Sequence, residues 1–198
     1  YDNLSQEGDC WVYGNAQVKD EAQVSGDAKL FDNAKFYDNA QVCGKAKIYG
    51  NAWVYGNAEV YDDAEVYGDA LIYNNAKVYG NARVGGGAIV YDNAEVYSEA
   101  RVYGRAKVYG DAKVYGNATV YDNAKVYSEA RVYGRAKVYG SAEVYDNAEV
   151  YGGEAKVYGS YAKVYGGEAK VYDGEAKVYG NAEVYDSTEV SGKAKAQR

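Results

Sequence analysis

The sequence predicts an all-β chain, a single-stranded parallel β-solenoid of triangular section with about 18 residues (three hexapeptides) per coil and about 11 coils. Three observations predict it. Aliphatic or aromatic residues recur every sixth position, as Val12, Val18, Val24, Leu30, Phe36, Val42, Ile48 and Val54, and continue without a break to Val150. From Ala16 to Ala148 the residue two positions earlier is always Ala, and mostly Gly or Asp, then Asn, Asp or another turn former, closes the unit. Finally, of the residues that directly precede the recurring aliphatic between positions 17 and 195, only three are large and apolar, and these three, Trp53, Leu71 and Ile89, are spaced by three hexads.

Each part of the unit Ala-x-Val-Tyr-Gly-Asn has a physical reason. Alternation puts Ala and Val on one face of a short strand and x and Tyr on the other. Gly, Asn and Asp tolerate the positive φ of a sharp corner, where other residues clash. Four strand residues and two corner residues cannot enclose a core alone. Stacked coils can, with Ala and Val inside and backbone groups paired to coils ~4.8 Å above and below. A buried Val contributes roughly 1.5–3 kcal/mol, against roughly 1–2 kcal/mol for ordering each residue's backbone, so only many coils together hold. Two hexads per coil would scatter Trp53, Leu71 and Ile89; three would place them in one column, in a rod about 50 Å long.

Composition points the same way. The chain has 26 Tyr and 24 Gly but no Pro, His or Met, a bias that belongs to repeat arrays. A net charge of −7 argues against a sequence-independent grip on nucleic acid, which needs a basic face. No apolar run approaches the ~18 residues of a membrane span, and no signal peptide is read. A chain beginning at Tyr1 is expected to be processed or to be part of something longer. Few Cys and abundant Tyr lean toward an extracellular or cell-surface setting.

Val-Tyr-Gly-Asn-Ala-Lys resembles the hexapeptide repeat of left-handed parallel β-helix proteins, over essentially the whole chain. The resemblance implies a triangular prism with left-handed coils, against the usual right-handed crossover. Tyr at nearly every corner, where that family often has Gly, is a departure. The best-known members are acyltransferases with a catalytic His and gamma-class carbonic anhydrases with three zinc-binding His. Without His, and without the transferases' long loops and C-terminal helix, this chain is expected to be no enzyme and to hold no metal or cofactor. An acyltransferase-like activity would need a catalytic group from elsewhere. Fold alone does not give function.

The outward positions carry the candidate sites. Tyr55, Tyr73 and Tyr91 form one column and Tyr61, Tyr79 and Tyr97 another, placed for offset stacking worth about 0.5–1.5 kcal/mol per pair. Such ladders brace corners; they could also present a track to polysaccharide or to a neighbouring rod. Gly85-Gly86-Gly87, replacing Tyr-Gly-Asn beside the Trp53/Leu71/Ile89 strip, reads as a bare docking notch. Glu59, Lys77, Glu95 and Lys113 alternate in sign down one column, worth a few tenths of a kcal/mol per exposed pair. Asp2, Asp32, Asp38, Asp62, Asp92, Asp122 and Asp146 sit where a turn wants Asp, and are read as turn residues rather than as acid–base pairs or calcium ligands. Cys10 points inward and Cys43 outward, so they cannot pair within the chain without rearrangement. Cys43 is read as a neutral surface substitution, with an intermolecular disulfide as the sharper alternative.

The whole of residues 1–198 reads as one continuous solenoid. Residues 1–11 form an irregular first coil, with Gln6 at an inward position, although the phase already runs at Tyr1-Asp2-Asn3. Across 151–178 the spacing becomes seven, at Val157, Val164, Val171 and Val178, with Gly at the enlarged corners; these are read as corner bulges, with a docking collar as the alternative. Residues 191–198 are polar and basic. Val90–Gly110 nearly repeats as Val120–Gly140, an offset of five hexads that lands copies on different faces. Thinly capped ends predict head-to-tail self-association, making a structural rod or filament subunit the leading reading, ahead of a Tyr-ladder glycan binder.

Overall fold

A computed structural model describes Leu4 and residues 8–166, 169–172 and 177–197. Tyr1-Asp2-Asn3, Gln6, the corner at 173–176 and Arg198 lie outside the described residues. The strands of the described residues are short, mostly two residues each, and fall into three parallel sheets. Face I runs from Trp11–Val12 to Lys195–Gln197, face II from Gln17–Val18 to Glu183–Tyr185, and face III from Gln23–Val24 to Glu189–Ser191. Successive hexads visit the three faces in turn, so the chain is a parallel β-solenoid whose regular coil is three hexads long. Leu71 pairs with both Trp53 and Ile89, which confirms the coil length read from that strip.

The core is what the alternation requires. Every inward residue from Ala22 to Val150 is 0–1% exposed, in one continuous column of Ala and Val with Leu30, Phe36, Ile48 and Ile72. Val12, Ala16 and Val18 of the first coil are half-buried. Cys10 packs partly against this core.

Each corner turns on a residue of positive φ. Between Gly14 and Gly140 these glycines have φ of 62–74°, and Asp32, Asp38, Asp62, Asp92, Asp122 and Asp146 take φ of 57–60° at the same position. Coils approach so closely here that a Cβ on Gly44 would lie 2.8 Å from the Asp62 backbone nitrogen. Non-glycine residues at this position are therefore the small polar types that accept left-handed backbone.

After Val150 the strands keep their pairing while the corners lengthen. Val150 pairs with Val171 and Val157 with Val178, so inward residues remain opposite inward residues. The additional residues sit in the corners, where Gly152, Gly159 and Gly166 open to φ of 97°, 120° and 89°. At its described corners the segment takes up its added length as a bulge.

Candidate functional site: aromatic and charged columns

Tyr follows the inward Val and therefore points outward at the end of each strand, one rung from its counterpart in the next coil. On face II the rings stack from Tyr55 through Tyr73 and Tyr91 to Tyr185, and on face III from Tyr61 through Tyr79 and Tyr97 to Tyr172. Both predicted ladders are present and extend well beyond the residues first singled out. Face I carries a third, Tyr13–Phe31–Tyr49–Tyr67, interrupted at Gly85 and resumed from Tyr103 to Tyr179. Within face III, Tyr133 and Tyr151 are parallel with centroids 4.7 Å apart. Stacking at this distance turns ring faces toward each other and leaves ring edges toward solvent.

The phenols join the charged columns. Tyr79 Oη donates to Glu95 at 2.9 Å and Tyr133 Oη to Glu149 at 3.3 Å, each acceptor lying in the next coil. Burial and then neighbouring phenols hold Tyr121 up to about 12. Burial, followed by the hydrogen bond to Glu95, pushes Tyr79 well above the ordinary phenol range. Burial works against ionisation of Glu95 as well, but hydrogen bonds from Lys113 and Tyr79 override it and hold this carboxyl below its usual value. The expected alternation on face III is real: Lys77 lies 3.1 Å from Glu59, Lys113 2.9 Å from Glu95 and Arg131 3.4 Å from Glu149.

The apolar strip is one column of face II. Trp53 is 39% exposed, with the Lys35 ammonium 4.2 Å from its ring centroid and Tyr37 edge-on at 6.3 Å. Leu71 and Ile89 are half-buried. The glycine corner is not the open notch expected beside it. Gly85 is buried under the ring of Tyr67, which an added Cβ at Gly85 would strike. Lacking a ring to stack on above, Tyr67 tilts into the vacancy, and its pairing with Tyr49 loosens to 5.5 Å and 14°. Gly86 has φ of 62° and is exposed, and Gly87 N–H bonds to Gly104 O at 2.7 Å.

The corners hold a feature that sequence reading missed. Asn15 donates its side-chain amide to Asn33, Asn33 to Asn51, and Asn51 to Asp69, at 3.0–3.1 Å. At the next corner Asn39, Asn57, Asn75 and Asn93 do the same and end on Asp111. All these amides donate toward the later coil. Each ladder ends on a carboxylate, which accepts but cannot donate further. Asn recurring at every third hexad was the available signal. The turn Asp residues are equally occupied: Asp32, Asp38, Asp62, Asp92 and Asp122 accept the N–H of Gly50, Gly56, Gly80, Gly110 and Gly140 in the coil above, at 3.0–3.4 Å. Their oxygens brace the stack, which explains Asp here without catalysis or calcium. Cys43 heads the face III aromatic column as a half-buried free thiol, pushed up by burial and by Asp62 and Glu59, so it is a poor nucleophile.

In sequence comparison no curated protein matched the chain. Residues 76–92 and 112–128 match the family described as YdcK Beta solenoid repeat. Both segments open on an inward Ala of face III, two coils apart, and each spans nearly one full coil. With these two matches and three stacked parallel sheets, the chain is a β-helix repeat protein, similar in those coils to the YdcK beta solenoid repeat.

Proposed function

We propose that this protein is a structural rod without catalytic activity, whose coils stack end to end into a filament. The direction of its backbone hydrogen bonds carries this reading. Trp11, Tyr13 and Asn15 donate to the later coil, at Ala28, Leu30 and Asp32, and the same three positions do so in coil after coil. One side of any coil is thus rich in donors and its opposite side rich in acceptors, so two stacks meet favourably only head to tail. The side-chain ladders repeat this axial direction and give cohesion along the rod.

A glycan track on the Tyr ladders is the weaker reading. Sugar rings pack on aromatic faces, and within the ladders those faces are already stacked on one another. The test is electron microscopy with sedimentation across a concentration series. Rods about 50 Å long at low concentration should give way to end-joined fibres of the same width as concentration rises. Single rods persisting at the highest concentration would end the filament reading, and globular particles would end the rod itself.

A further inference from the structure

Face I distributes its outward charge unlike the other two. On face III acids and bases alternate from Glu59 to Lys113 and pair across rungs, and where Lys113 stands opposite Arg131 each has a glutamate on its other side, Glu95 and Glu149. On face II Lys125 pairs with Glu143 at 2.8 Å, and Lys163 stands between Glu143 and Glu183. Face I instead carries Arg83, Arg101, Lys137, Lys156, Lys177 and Lys195 in one register column, with Thr119 the sole neutral member and no acid among them. Like charges directly opposite on rungs ~4.8 Å apart repel.

Among the described residues, little beside the column offsets that repulsion. Arg83 lies 3.5 Å from Glu65, at the column's edge, and Lys156 lies 3.8 Å from Glu154. Asp122, at one flanking corner, is held by Gly140 N–H. Glu99 flanks the opposite edge, where Arg135 of the same corner column adds a further cation.

The phenols sharpen the contrast. On face III, Tyr79 and Tyr133 donate to glutamates of the next coil. The corresponding neighbours of Tyr103, Tyr121, Tyr139 and Tyr158 on face I are Thr119, Lys137, Lys156 and Lys177, which offer no carboxylate. Ammonium, guanidinium and phenol groups together make this half of face I a strip of donors. It is a local basic strip on a chain whose net charge is −7.

We propose that face I from Arg83 to Lys195 binds a linear polyuronate, a polysaccharide bearing one carboxylate per sugar, laid along the rod axis. One sugar acid extends the chain by close to one rung, so successive carboxylates meet successive cations. Charge-assisted hydrogen bonds from Lys and Arg are the strong kind, and each phenol adds a donor at the rim. A single-stranded nucleic acid is the other linear polyanion, but it gains much of its affinity by stacking bases on exposed aromatic faces. Here those faces are buried in the ladder, and a polyuronate does not need them.

The test measures binding of the full chain to polygalacturonate, to the same polymer fully methyl-esterified, and to single-stranded DNA. Binding to the acid form alone is expected, weakening steeply with salt. R101Q/K137Q/K177Q should weaken it at least about tenfold at low salt, while K107Q/K125Q/K163Q, removing the same charge from face II, should stay within about threefold. If the triple variant loses its β-sheet circular dichroism, K137Q alone should still cost about two- to threefold. No binding to polygalacturonate, equal binding to the ester, equal losses from both triples, or tighter capture of the DNA would each overturn the proposal.

Discussion

Up to Val150 each coil is three hexads long, and beyond it the same rung takes more chain. Lys137 pairs with Lys156 and Glu149 with Lys170, each farther along the sequence than three hexads, before Lys177 and Lys195 return to the regular spacing. The aromatic columns cross this boundary unchanged: Tyr133–Tyr151 and Tyr139–Tyr158 stack at 4.7 and 4.8 Å. Beyond it they loosen toward the last coil, to 5.8 Å at Tyr165–Tyr185. The Asn ladders, by contrast, lie wholly in the regular part and end at Asp69 and Asp111. Strand and corner are thus separable. Inward alternation fixes the strands and rings, whereas a corner can lengthen as long as a glycine opens its φ.

The largest test of that separation is a pair of insertions. One Ala between Lys113 and Val114 moves the following inward set outward and should abolish cooperative folding of the array. One Gly after Gly116 imitates the widened corners and should cost only about 1–2 kcal/mol. Urea unfolding followed by circular dichroism separates them, and equal losses would show that corners are as constrained as strands.

Alkali should come next in size. Tyr121, with its pKa raised from 10.0 to about 12, keeps its proton in the folded state over a pH range in which the unfolded chain has lost it. Stability from such phenols is complete below the unfolded pKa and falls as pH climbs through the folded one. The β signal should therefore disappear together with a cooperative rise in tyrosinate absorbance above pH 10. Gradual ionisation at 10 with the fold intact would show the ladders to be loose.

Smallest are single ring deletions. Tyr127→Ala in the regular part and Tyr158→Ala in the widened part each remove two ring contacts. Both should cost about 1–3 kcal/mol, with Phe at either position within about 0.5 kcal/mol of Tyr. A silent Tyr158→Ala would mean that the columns cohere only where coils are regular.

The coil length, the inward set and two ring columns were legible because they depend on periodicity alone, and Trp53, Leu71 and Ile89 were enough to count hexads. The third ladder was hidden by Gly85 and by Phe31 standing in for Tyr. The notch misled because a missing side chain was read in isolation, while the neighbour Tyr67 was free to lean over it. The Asn ladders escaped because each Asn is locally a sufficient turn residue. Its second role exists only when another Asn stands one coil away, as Asn57 stands between Asn39 and Asn75. The cation column on face I was visible in the sequence but looked like ordinary solvated charge until set beside the paired column of face III.

The interruption at Gly85 has a mechanical consequence. Three aromatic columns, one beside each edge of the prism, resist bending as three struts do, since any curvature must compress one and stretch the others. Two columns run unbroken past this level, and the third is bridged only by the slanted ring of Tyr67. A bending load should therefore find one compliant azimuth and one compliant height in an otherwise evenly stiff beam, in the same coil where Arg83 begins the basic column.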